Sequence, residues 1–89
     1  MATLDDTRLR SASINGDFET VQKILTRGKC SEKAKLYAMY NAILYGHADI
    51  VKLLLQNGVF PNGNDDAILR VLKLCKHENI IILFEDYLN

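Results

Sequence analysis

The cysteines and histidines, Cys30, Cys75, His47 and His77, are the thiol and imidazole groups that could bind zinc or form a nucleophile–base pair. A zinc site would need about four such ligands converging at roughly 2.0–2.3 Å. If the helices that carry them sit a helix diameter apart, His47 and His77 stack at roughly 10 Å with only Cys75 two residues before His77, and four ligands are not assembled. A Cys–His catalytic pair from Cys75 and His77 fails on spacing. Neighbours at i and i+2 in a turn do not face each other, and no third group stands ready to orient the imidazole. There is no glycine-rich phosphate loop, and Asp65-Asp66 reads as a helix-capping turn. The expected catalytic, cofactor and metal sets are therefore empty, and the chain is not expected to be an enzyme. These residues then belong to the elements around them.

The composition narrows those elements. Eighty-nine residues and 10.1 kDa make one domain or one short repeat array. Apolar residues are 48% of the chain, ordinary for a folded protein. Eleven basic residues balance eleven acidic ones, so the surplus positive charge that nucleic-acid backbones or acidic membranes attract is missing. Met1 to Arg10 contains no apolar run of signal-peptide type, and no stretch approaches the roughly 18 apolar residues of a membrane span. Two cysteines do not make the disulfide framework of a small secreted protein. They read as reduced thiols, which places the chain in the cytoplasm, with the nucleus as the other location.

Written in blocks of thirty, the chain lines up without a gap. Gly16, Gly46 and Lys76 share a column, as do Asp17, His47 and His77, and Val21, Val51 and Ile81. Each block predicts two helices. Leu36, Met39, Ala42 and Ile43 recur at helical spacing and stop at Gly46; Ile50, Val51, Leu54 and Leu55 recur and stop at Gly58. Asp17, Ser31 and Asn64/Asp65/Asp66 offer N-cap acceptors. The expected helices span about 5–15, 18–27, 35–45, 48–57, 66–75 and 78–87. Neither helix of a block can bury its apolar stripe alone, so the blocks must stack.

The run Gly46-His47-Ala48-Asp49-Ile50-Val51-Lys52-Leu53-Leu54-Leu55-Gln56-Asn57-Gly58, with Asn62 after it, resembles the second half of an ankyrin repeat. Thr7-Arg8-Leu9-Arg10-Ser11-Ala12 is similar to that family's opening motif, with Arg8 for its proline and Arg10 for its histidine. The third block keeps His77, Ile80, Ile81 and Leu83 but loses both glycines. The resemblance implies an all-α ankyrin-repeat solenoid: three helix-turn-helix pairs in a single domain over 1–89, with repeats at about 1–30, 31–60 and 61–89. The family's usual period is about thirty-three. The missing residues fall between repeats, so the inter-repeat loops are expected to be shortened, with no β-finger and no sheet. Repeats of this length resemble those of ankyrin proteins of large DNA viruses and some intracellular parasites, which would make the role a host interaction in the host cytoplasm.

Ankyrin repeats bind proteins, usually on the concave side made of first helices and inter-repeat loops. By this resemblance the docking positions are Arg8, Asn15, Lys33, Lys35, Asn41, Tyr45, Ile68 and Val71, with Arg8 and Tyr45 as anchors. Ser11, Ala38, Cys75, Asn62 and Asn64 belong to the same side. The implied function is a protein-binding module acting as an inhibitor or adaptor, with no nucleic-acid or membrane partner. The alternative is a self-associating repeat protein. The third block's second helix is unusually apolar, and Ile82, Leu83 and Leu74 would form a patch for a homodimer. In the column Arg10, Tyr40, Arg70, the two guanidinium groups are expected to flank the ring or to bond to loop carbonyls beside it.

Overall fold

Residues 4–59 and 66–88 are described by the structure, a computed structural model. They form six helices: α1 Leu4–Asn15, α2 Phe18–Arg27, α3 Glu32–Leu44, α4 Ala48–Gln56, α5 Asp66–Leu74 and α6 Glu78–Leu88. The described residues contain no strand. The first loop, residues 28–31, is too short for a hairpin finger; the second falls on residues 60–65, outside the described residues, and so do Asn62, Asn64 and Asp65.

Local chemistry explains the helix ends. Asp17 opens α2, its carboxylate accepting from the Thr20 N–H at 3.3 Å and from the Thr20 hydroxyl at 2.6 Å. Ser31 opens α3, its hydroxyl accepting from the Ala34 N–H at 3.1 Å. Because Ser31 caps directly, α3 starts at Glu32 rather than at 35, and Lys33 and Lys35 stand on its first turn rather than in a loop. At the far ends, Gly16 and Gly46 take the left-handed conformation. The N–H groups of Asp17 and His47 then reach back to the carbonyls of Ala12 and Ala42 at 2.9 and 2.8 Å.

The first helices α1, α3 and α5 pack in one row and the second helices α2, α4 and α6 in another; α1 also packs on α2 and α3 on α4. Comparing equivalent positions shows which side of each helix meets which neighbour. Arg8 is exposed while Ala38 and Ile68 are buried. The first unit has a partner helix and a following unit but no preceding one, so this column faces backward. The columns Ser11/Asn41/Val71 and Lys23/Leu53/Leu83 follow the same trend. Conversely, Ser13 and Ile43 are buried while Lys73 is exposed, and Leu25 and Leu55 are covered while Glu85 is exposed. Those columns face forward. Val21, Ile24, Met39, Val51, Leu54 and Phe84 fill the interior between the rows.

This register corrects the exposure expected for two docking positions. Ile68 and Val71 retain 2% and 7% of their accessible surface, because they pack back toward the second unit. They are core residues of the stack rather than exposed docking positions.

Candidate functional site

The exposed part of the first-helix row is built from residues on α1, α3 and α5. Arg8 and Asn15 are exposed on α1. On α3, Asn41 is half-buried, and Tyr45, which ends the helix with its N–H donating to the Asn41 carbonyl at 3.0 Å, is exposed. The Lys33 ammonium lies 6.0 Å from the centroid of the Tyr37 ring, while the Lys35 ammonium lies 3.5 Å from a carboxylate oxygen of Glu32.

Among the described residues, two grooves are lined by side chains of this face. The first, about 520 Å³, is lined by Tyr40, Ile43, Leu44, Arg70, Val71, Leu74, Cys75, Lys76 and His77. The second, about 510 Å³, is lined by Asp6, Thr7, Arg10, Ser31, Lys33, Ala34 and Tyr37. Arg70 thus shares a groove with Tyr40, whereas Arg10 shares one with Tyr37. The expected flanking of Tyr40 by both arginines gives way, among the described residues, to a cation over Tyr37. Lys33 and Tyr37 are i, i+4 neighbours on one helix, so that contact needs no help from the next unit.

Sequence reasoning passed over Tyr37, Leu44 and Leu4. Among the described residues six large apolar side chains are exposed, and five of them, Leu4, Tyr37, Leu44, Tyr45 and Leu74, stand on or at the end of first helices. Only Ile82 stands on a second helix. The signal was present in the sequence: Leu44 and Leu74 occupy one column at the last turn of successive first helices.

The three residues of the expected self-association patch do not converge on the end of the stack. Leu83 is half-buried against the core. Ile82 shares an exposed outer column with Gln22 and Lys52. Leu74 lies in the first groove. The forward-facing end of the third unit presents Lys73 and Glu85 instead.

The residues with chemical potential have structural partners. The His47 imidazole donates from Nε2 to the Ile14 carbonyl at 3.0 Å. The Cys75 thiol meets the backbone of His77, not its ring: its sulfur accepts from the His77 N–H at 3.4 Å. Among the described residues no three His, Cys, Asp or Glu groups are placed to hold a metal. The Cys30 thiol is pushed up to about 11, first by burial and then by the negative charge of Asp6 and a hydrogen bond to it. That makes it a poor nucleophile at neutral pH. Asp6 also accepts from the Ser31 N–H at 3.3 Å, and Asp5 pairs with Arg27 at 3.1 Å. These contacts hold the first turn of α1 against the loop and against α2.

Comparison with known proteins gives one match. The ankyrin repeat family model matches residues 36–66, the stretch running from α3 through α4 to the first residue of α5. No curated protein and no solved structure gives a significant match to the chain.

Proposed function

Because the chain carries an ankyrin repeat at residues 36–66 within a six-helix stack, we propose that it docks a partner protein on its first-helix face and acts as an inhibitor or adaptor. Ankyrin repeats are protein-interaction modules rather than enzymes. The observation that carries the choice of face is the asymmetry of exposed apolar groups, five of six on the first-helix row among the described residues. A stacked array presents such a face preorganised, which lowers the ordering cost of binding. Tyr37 and Tyr45 add broad rings of few rotatable bonds, the residue type most often found as an interface anchor. Arg8, Asn15, Lys33 and Asn41 supply polar contacts around them. Both cysteines are free, which suits the cytoplasmic or nuclear compartment of this reading.

Photo-crosslinking tests it. A photoreactive residue placed at Tyr37 or Tyr45 is expected to trap a protein from cell lysate, and the same residue at Gln22 or Lys52, on the second helices, is not. Adducts confined to Gln22 and Lys52 would move the docking surface to the opposite side.

A further inference from the structure

We propose that the groove between α3 and α5 seats an acidic segment of the partner, with an apolar side chain of that segment packed on Leu44 and Leu74. The inference rests on the first-helix face being the docking side and adds the chemistry of what binds there. Leu74 keeps 79% of its accessible surface and Leu44 keeps 48%. They occupy equivalent positions on successive units and line one groove, so their exposure is a shared apolar floor rather than two isolated residues.

The groove's rim sets the charge of its occupant. Arg70, Lys76 and His77 line it, and among the described residues no carboxylate does. Neither Arg70 nor Lys76 has an ion-pair partner among the described residues. The whole chain is neutral, so this is a local surplus, and the third unit supplies it: the equivalents of Arg70 and Lys76 in the second unit are Tyr40 and Gly46. Unpaired cations beside an apolar floor complement carboxylates flanking a leucine or an aromatic ring. A nucleic acid fits less well, since it would need a run of cations to neutralise successive phosphates. The other groove is not selective in this way. It sets Asp6 beside Arg10 and Lys33, and Asp6 is engaged with Ser31.

The test is a display selection of random peptides on the full chain. Recovered sequences are expected to carry Asp or Glu on both sides of Leu, Phe or Trp. Their binding should weaken about tenfold with Arg70→Glu or Lys76→Glu and by a similar factor with Leu74→Ser, a change of about 1.4 kcal/mol each. It should also weaken as salt rises. All three side chains are at the surface, and an unchanged circular dichroism spectrum confirms that each variant folds. Peptides without acidic bias, an empty selection, or acidic peptides that bind Leu74→Ser as well as the parent overturn the proposal, the last showing simple polyanion binding. Peptides that ignore Arg70→Glu and Leu74→Ser but are lost on Tyr37→Ala or Tyr45→Ala sink the groove and leave the docking face standing. Crosslinks found only on the second helices sink both.

Discussion

The His47 ring lies directly over Gly16: a Cβ built on Gly16 would stand 2.7 Å from His47 Cε1, inside any real contact distance. His77 meets Gly46 in the same way, one unit on, at 2.7 Å from its Nε2. Each histidine opens the second helix of its unit and reaches back over the glycine turn of the unit before. In the first unit Asp17 stands in the histidine column and caps α2 instead, and in the third Lys76 stands in the glycine column.

Gly16→Ala is expected to cost more than a glycine change in open space. It forces a side chain into φ +76° and against the imidazole. The conformation alone costs about 1–2 kcal/mol, and the clash adds to it. Gly28 has φ +68° but nothing within 4 Å of its added Cβ, so Gly28→Ala should cost only the conformational part. Urea denaturation of both variants, with His47→Ala in the Gly16→Ala background, checks this. Equal losses for the two glycines would show that the imidazole yields freely.

Ser13→Ala is expected to stabilise the fold by about 1 kcal/mol. The Ser13 hydroxyl is completely buried on the forward side of α1 and has no hydrogen-bond partner among the described residues. Removing it relieves an unsatisfied polar group and installs a better helix former. Thermal unfolding should shift upward by several degrees for a chain of this size; a lower midpoint would mean that the hydroxyl has a role that its surroundings do not reveal.

The α2 cap should be sensitive to acid. The Thr20 hydroxyl, and after it the Thr20 N–H, hold the Asp17 carboxyl below its ordinary value of 3.8. A depressed carboxyl contributes stability above its unfolded value, and that stability is lost as pH falls through the folded one. Asp17→Ala should therefore lower the melting temperature at neutral pH, and the gap from the parent should close as the pH falls below about 4. A gap that persists at low pH would assign the loss to something other than the charged cap.

Cys30 should behave oppositely, at the alkaline end. The fold holds this thiol neutral up to about 11, while the unfolded chain ionises near 9.0. The unfolded state then loses its proton first, so this group's contribution to stability declines as pH rises between those values. Alkylation of Cys30 by iodoacetamide at mildly alkaline pH should be slow in the folded protein and faster in Asp6→Asn, which removes the neighbouring charge. Equal rates folded and unfolded would show that burial does not protect it.

Exposed Lys73 and Glu85 should keep two copies from joining through the forward side of the third unit. Light scattering at several concentrations is expected to give one mass for the parent. Lys73→Leu combined with Glu85→Leu should give a mass that rises with concentration, because it turns the forward end apolar. A parent whose mass already rises would revive association through Ile82 or Leu74.

Helix positions, caps and turns were legible in the sequence because they depend on near neighbours. Asp17 and Ser31 cap within three residues, Gly16 and Gly46 end helices in place, and the thirty-residue step needs only counting. Which side of each first helix meets water was decided by the tertiary structure. A helix in a stack touches its partner, the unit before and the unit after, so its apolar positions wrap around much of its surface and periodicity alone does not separate them. Ile68 and Val71 look like surface residues on one helix and become core once α5 packs on α3. Leu44 looks like a core residue, yet the stack leaves it uncovered beside Leu74. Part of this was available in the chain itself: the change from Arg8 to Ala38 and Ile68 marks a side that gains a neighbour after the first unit, and the change from Ile43 to Lys73 marks one that loses a neighbour at the last. The groove is different. It needs Tyr40 and Leu44 of one unit beside Arg70 and Lys76 of the next, and only the rotation and offset between units bring those four side chains to a single groove.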